Sequence, residues 1–102
     1  MSLKKKFLKS KPICKVTFKI SAEATENADK VVLVGDFNEW DKTAGVAMKQ
    51  LKSGDFKTTV DLEVGKKYEF RYLIDGEKWE NDWAADEYIS TPYGTENSVV
   101  AV

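Results

Sequence analysis

The strongest constraint on this chain is a period of two in its side chains. In Ile13–Ile20, the residues Cys14, Val16, Phe18 and Ile20 fall on one face and Lys15, Thr17 and Lys19 on the other. The same alternation returns in Phe56–Leu62 and in Tyr68–Ile74. A two-residue period sends one face to a core and the other to water, which is the signature of half-buried strands. Val31–Val34 is instead continuously apolar, as expected of a strand covered on both faces. A weaker strand spans Val46–Leu51, and β-branched residues mark a last strand over Asn97–Val102. Turn chemistry separates these runs at Gly35-Asp36-Phe37-Asn38, at Ser53-Gly54-Asp55 and at Glu63-Val64-Gly65-Lys66, the last read as a hairpin loop. Asp75-Gly76 is the strongest short hairpin signal. Glu23–Lys30 reads as a loop or one helical turn, and Trp79–Thr95 as a long irregular segment of the kind that carries function. Six or seven short strands without an amphipathic helix imply an all-β chain, an antiparallel immunoglobulin-like β-sandwich.

Charge divides the chain unevenly. Sixteen Lys+Arg face seventeen Asp+Glu, yet residues 1–20 hold seven lysines and no acid, which leaves the remainder at −8. The 102 residues suit one core. Residues 1–11 read as a flexible, solvating lysine-rich lead, with contact to an anion or a membrane surface as the alternative, and residues 12–102 as a single domain. An acidic body lowers nucleic acid as a ligand. The lead lacks the apolar run of a signal peptide, and no stretch is long and apolar enough to span a membrane. With Cys14 as the sole cysteine, a cytoplasmic protein is the expectation, and Cys14 itself reads as a small core residue.

Composition also narrows the chemistry. The chain contains no histidine, which removes the commonest general base and zinc ligand, and a single cysteine removes paired-cysteine metal motifs. Carboxylates remain, but Asp82, Asp86 and Glu87, like Asp36, Glu39 and Asp41, lie in polar stretches and read as a solvated acidic rim. Asp36–Asp41 begins like a calcium loop but lacks its sixth-position glycine. Neither a catalytic constellation nor a cofactor or metal site is expected.

Aromatic residues are more informative. Trp40 follows Asn38-Glu39, and Trp79 sits between Lys78 and Glu80 just past the Asp75-Gly76 turn. Each reads either as a plug closing the sandwich end or as part of a binding face. The ligand suited to such a face is a sugar, whose C–H face stacks on an indole while its hydroxyls meet fixed polar groups. The only arginine among fifteen lysines, Arg71, lies on the outward face of its strand. It is either a geometric donor or a surface cation paired with Glu69 or a neighbour.

Three stretches then resemble a known family. They are Val31–Trp40, Phe70–Gly76 with Trp79 close behind, and Tyr93-Gly94-Thr95-Glu96-Asn97 before the final strand. Their order over Val31–Val102 is similar to that of the family 48 carbohydrate-binding modules, which include the glycogen-binding domain of the AMP-activated protein kinase β subunit and the early-set domains of isoamylases and branching enzymes. The resemblance implies a sugar platform of Trp40 and Trp79. Arg71 stands in place of a sugar-bonding lysine, Asn97 and Thr95 match hydrogen-bonding positions, and Tyr93 replaces a leucine that reaches through the glucan coil. One extra residue, Glu77 or Lys78, lengthens the turn before Trp79. The implied function is non-catalytic binding of an α-glucan polysaccharide or oligosaccharide, with a glucan-metabolising enzyme or kinase-like protein as partner in trans. The alternative is an interaction domain that has lost sugar binding. A monomer or weak homodimer is expected, without nucleic acid or membrane. Each half-covered indole contributes roughly 2–3 kcal/mol, which after the cost of association implies a Kd of about 10 μM to 1 mM.

Overall fold

The alternation of Ile13–Ile20 becomes a strand of that span with Cys14, Val16, Phe18 and Ile20 buried. This computed structural model describes residues 3–41 and 45–102. Among them ten strands run in chain order: β1 Leu3–Phe7, β2 Ile13–Ile20, β3 Val31–Gly35, β4 Val46–Ala47, β5 Lys49–Gln50, β6 Phe56–Glu63, β7 Lys67–Ile74, β8 Lys78–Glu80, β9 Glu87–Ser90 and β10 Glu96–Ala101. Helix α1, Ala22–Thr25, supplies the single turn allowed between β2 and β3, with Ser21 as its N-cap.

The strands form two antiparallel sheets, a first of order β1-β2-β6-β5 and a second of order β4-β3-β7-β10-β9, with β8 also paired to β7. Inward residues of both meet in one core of Val16, Phe18, Phe56 and Leu62 against Val31, Leu33, Phe70, Tyr72 and Val100. Phe18 and Phe70 touch edge to face across it, with ring centroids 5.0 Å apart. The architecture is the expected antiparallel β-sandwich.

Four local expectations are corrected. The lysine-rich lead is not a solvating tail over its described part: Leu3–Phe7 pairs in full register with Phe18–Cys14. Leu3 packs on the core from this edge strand, and its lysines supply the charge that keeps an open edge from pairing with other chains. Met1 and Ser2 lie outside the described residues. The Glu63–Lys66 loop is not a hairpin, because β6 pairs with β2 and β5 while β7 pairs with β3, β8 and β10. Here the chain arches from one sheet to the other. Pleat alternation specifies a strand's faces, not its neighbours. Val46–Leu51 divides at buried Met48, so that β4 joins the second sheet and β5 the first. The Trp79–Thr95 segment is not irregular throughout: β8 takes Trp79 and Glu80 and β9 takes Glu87–Ser90, while 81–86 and 91–95 are irregular as expected.

The turn after β7 keeps its expected character. Asp75 and Gly76 both have positive φ, at 51° and 71°. The Asp75 carboxylate accepts hydrogen bonds from the amides of Asp29 and Lys30. Ile74 pairs with Lys78, so Glu77 is absorbed in the turn and Trp79 lies opposite Leu73.

Candidate functional site

Strand parity on β7 separates Phe70, Tyr72 and Ile74, which face the core, from Glu69, Arg71 and Leu73, which face outward. Register carries the outward set across the sheet: Val34 lies opposite Arg71, Val32 opposite Leu73, and Val99 opposite Glu69. Val34, Leu73 and Val99 are buried, yet none belongs to the inter-sheet core. They form a thin apolar floor on the outer face of the second sheet.

The first indole reaches this face through the bend after β3. Gly35 is required there by close approach, since a Cβ would stand 2.4 Å from the Glu69 carbonyl oxygen. A short 3-10 turn over Asp36–Asn38 follows, held by Asn38, whose Oδ1 accepts from the Gly35 amide and whose Nδ2 donates to the Leu33 carbonyl. Glu39 and Trp40 are then both left-handed, at φ 56° and 57°. Asp36 fixes the result. Its Oδ1 accepts from the Trp40 indole Nε1 at 2.8 Å, and its Oδ2 accepts from the Glu69 amide at 2.7 Å. Trp79 on β8 completes the pair, with indole centroids 6.4 Å apart and ring planes inclined at 55°. Both tryptophans are half-buried, so neither is a core residue.

A hydrogen-bonded row runs beside the indoles. Arg71 donates from Nε to Asn97 Oδ1 at 2.6 Å and from Nη2 to Thr95 Oγ1 at 2.7 Å. Asn97 Nδ2 in turn donates to Glu69 Oε1, and the Thr95 and Thr91 hydroxyls share a hydrogen bond. Arg71 is therefore not ion-paired with Glu69; Asn97 bridges the two. Two of the five guanidinium N–H donors serve this row, which holds the plane of the group and leaves the others for a ligand. The β9–β10 turn projects Tyr93, which is 90% exposed, with Pro92 before it and Gly94 at φ 80° behind.

All six residues expected at the site, Trp40, Arg71, Trp79, Tyr93, Thr95 and Asn97, line one groove of about 690 Å³, together with Glu69, Ile89, Ser90, Thr91 and Pro92. That volume lies within the usual range for small-ligand sites. The match of the sequence to a family described as the glycogen recognition site of AMP-activated protein kinase covers residues 18–102. The chain belongs to this family. It is thus a carbohydrate-binding domain, and the match begins at Phe18, earlier than the Val31 start of the resemblance. No curated protein matches it.

Within this carbohydrate-binding domain, sequence reasoning missed Glu69, Thr91 and Asp36. Glu69 was legible as the i−2 neighbour of Arg71 on the same strand face. Thr91 and Asp36 act through turns whose geometry has no period. One acidic residue is also corrected. Asp82 is not part of a solvated rim but is 2% exposed, accepting from the Tyr72 hydroxyl at 2.6 Å and from the Ala84 amide at 2.8 Å. Both of its oxygens are thereby engaged within the fold. The described residues contain no cluster of three or more metal-ligating side chains, and no helix among them is long and apolar enough to cross a membrane.

Proposed function

We propose that the groove binds a segment of α-glucan and that the domain acts without catalysis, holding an associated protein on a glycogen-like polymer. The observation that carries this reading is the Trp40–Trp79 pair beside the Arg71–Asn97–Thr95 row. Two indoles inclined at 55° make a bent apolar wall. Such a wall suits a chain whose successive rings turn, as in α-1,4-linked glucose, better than the flat ribbon of a β-1,4 chain. The polar row is already ordered by its own hydrogen bonds, which lowers the entropy lost when hydroxyls dock on it. Tyr93 at the turn tip supplies a third aromatic edge for stacking or for reaching past the first sugars.

Titration with maltoheptaose or β-cyclodextrin, followed by tryptophan fluorescence, tests the reading. Quenching is expected with a Kd of about 10 μM to 1 mM, weakened at least tenfold in Trp40→Ala and in Trp79→Ala. Cellohexaose should produce little change. Unaltered fluorescence at millimolar maltoheptaose would refute glucan binding. Release of reducing sugar from glycogen by the purified chain would refute the non-catalytic part.

A further inference from the structure

The first sheet turns a different surface to solvent. Parity places Lys4 and Lys6 of β1, Lys15 and Lys19 of β2, Lys57 of β6 and Lys49 of β5 on its outer face, and all six are exposed. Register sets three pairs of them directly opposite one another: Lys6 against Lys15, Lys19 against Lys57, and Lys49 against Lys57. Like charges in directly opposed positions destabilise a sheet. Carboxylates offset only part of this. Asp61 pairs with Lys15 at 3.1 Å, Asp55 with Lys19 at 3.6 Å, and Glu63 with Lys66 beyond the face. Lys4, Lys6, Lys49 and Lys57 make no ion pair among the described residues. Protection of sheet edges accounts for lysines on β1 and β5, but not for those on the central strands β2 and β6.

Against the expectation of no membrane partner, we propose that this face docks peripherally on an anionic lipid surface. The charges are all lysine, spread over a pleated sheet without an arginine fork or an aromatic platform. Nucleic-acid sites use such forks and platforms, and the cores of protein interfaces are depleted in lysine. Diffuse point charges instead match the planar field of anionic headgroups, where each lysine adds attraction within a Debye length. The sugar groove lies on the outer face of the other sheet, so a docked domain keeps it open to solution. The inference does not depend on what the groove binds.

Co-sedimentation of the 102-residue chain with vesicles tests it. Partition is expected onto phosphatidylcholine vesicles containing roughly one-third phosphatidylserine at low salt, with release at about 0.5 M salt. Lys6→Gln/Lys49→Gln/Lys57→Gln removes every opposed pair; it should cut partition tenfold to a hundredfold, by order of magnitude, without lowering Tm. Lys30→Gln/Lys66→Gln/Lys67→Gln removes equal charge elsewhere and should leave partition within about threefold. Equal binding to pure phosphatidylcholine, equal loss in both triple variants, or no partition at all would overturn the proposal. So would a preference for duplex RNA or polyglutamate over the anionic vesicles at matched salt.

Discussion

Tyr72 and Asp82 show how much one pair of side chains decides. Asp82 reads from the sequence as one more loop carboxylate, yet it sits against the core-facing hydroxyl of Tyr72, and its amide donates to Ser98 Oγ. Burial, with the neighbouring Asp82 charge, pushes the Tyr72 phenol well above its ordinary value of 10.0. Ionising it would remove the donor and set two anions together. Tyr72→Phe leaves a buried carboxylate oxygen without its hydroxyl and is expected to cost about 1.5–3 kcal/mol in urea denaturation. The sign of the pH dependence follows from the raised folded-state value. Wild-type stability from this group is intact below the unfolded value near 10 and falls as pH rises past it toward the folded value. The gap between wild type and Tyr72→Phe should therefore narrow above pH 10; a gap constant through that range would refute the account. At the same scale, the groove indoles and Arg71 were legible because tryptophan and arginine stand out among polar neighbours. Asp36 was not, because its role is to accept two hydrogen bonds that only the folded bend brings together.

Strands and turns were legible to different degrees. The faces of β2, β6 and β7 followed from alternation alone, and the Asp75-Gly76 turn from the tolerance of both residues for positive φ. Strand partners did not follow. The Glu63–Lys66 arch and the division of Val46–Leu51 depend on which sheet each strand joins, and that rests on contacts distant in sequence. The β7–β8 turn yields a test at this scale. Glu77 occupies a third turn position while Ile74 remains opposite Lys78 and Leu73 opposite Trp79. Deleting Glu77 leaves the two-residue Asp75-Gly76 turn that favours tight hairpins, without changing which residues pair. Maltoheptaose affinity should stay within about threefold of wild type. A tenfold loss would mean that the extra residue sets the angle of the Trp79 indole.

The whole molecule has two unlike faces around one core. Cys14 marks that core, being fully buried between β1 and β6 with its side chain among the inward residues. A thiol there reacts only when the sandwich opens, so labelling by a small disulfide reagent should track global unfolding, with a rate that rises with urea. Rapid labelling of the native chain in buffer would show a local opening at the β1 edge. By itself the sequence determined the fold class, the inward residues and the unusual residues available for a site, since a period of two and the chemistry of single side chains are local properties. Only the tertiary structure decided that the lysine-rich lead is a strand, that its lysines join others on one face, that Asp82 is buried, and that six residues between positions 40 and 97 share one groove. Those outcomes depend on register between strands far apart in the chain, and register is set by the joint packing of both sheets.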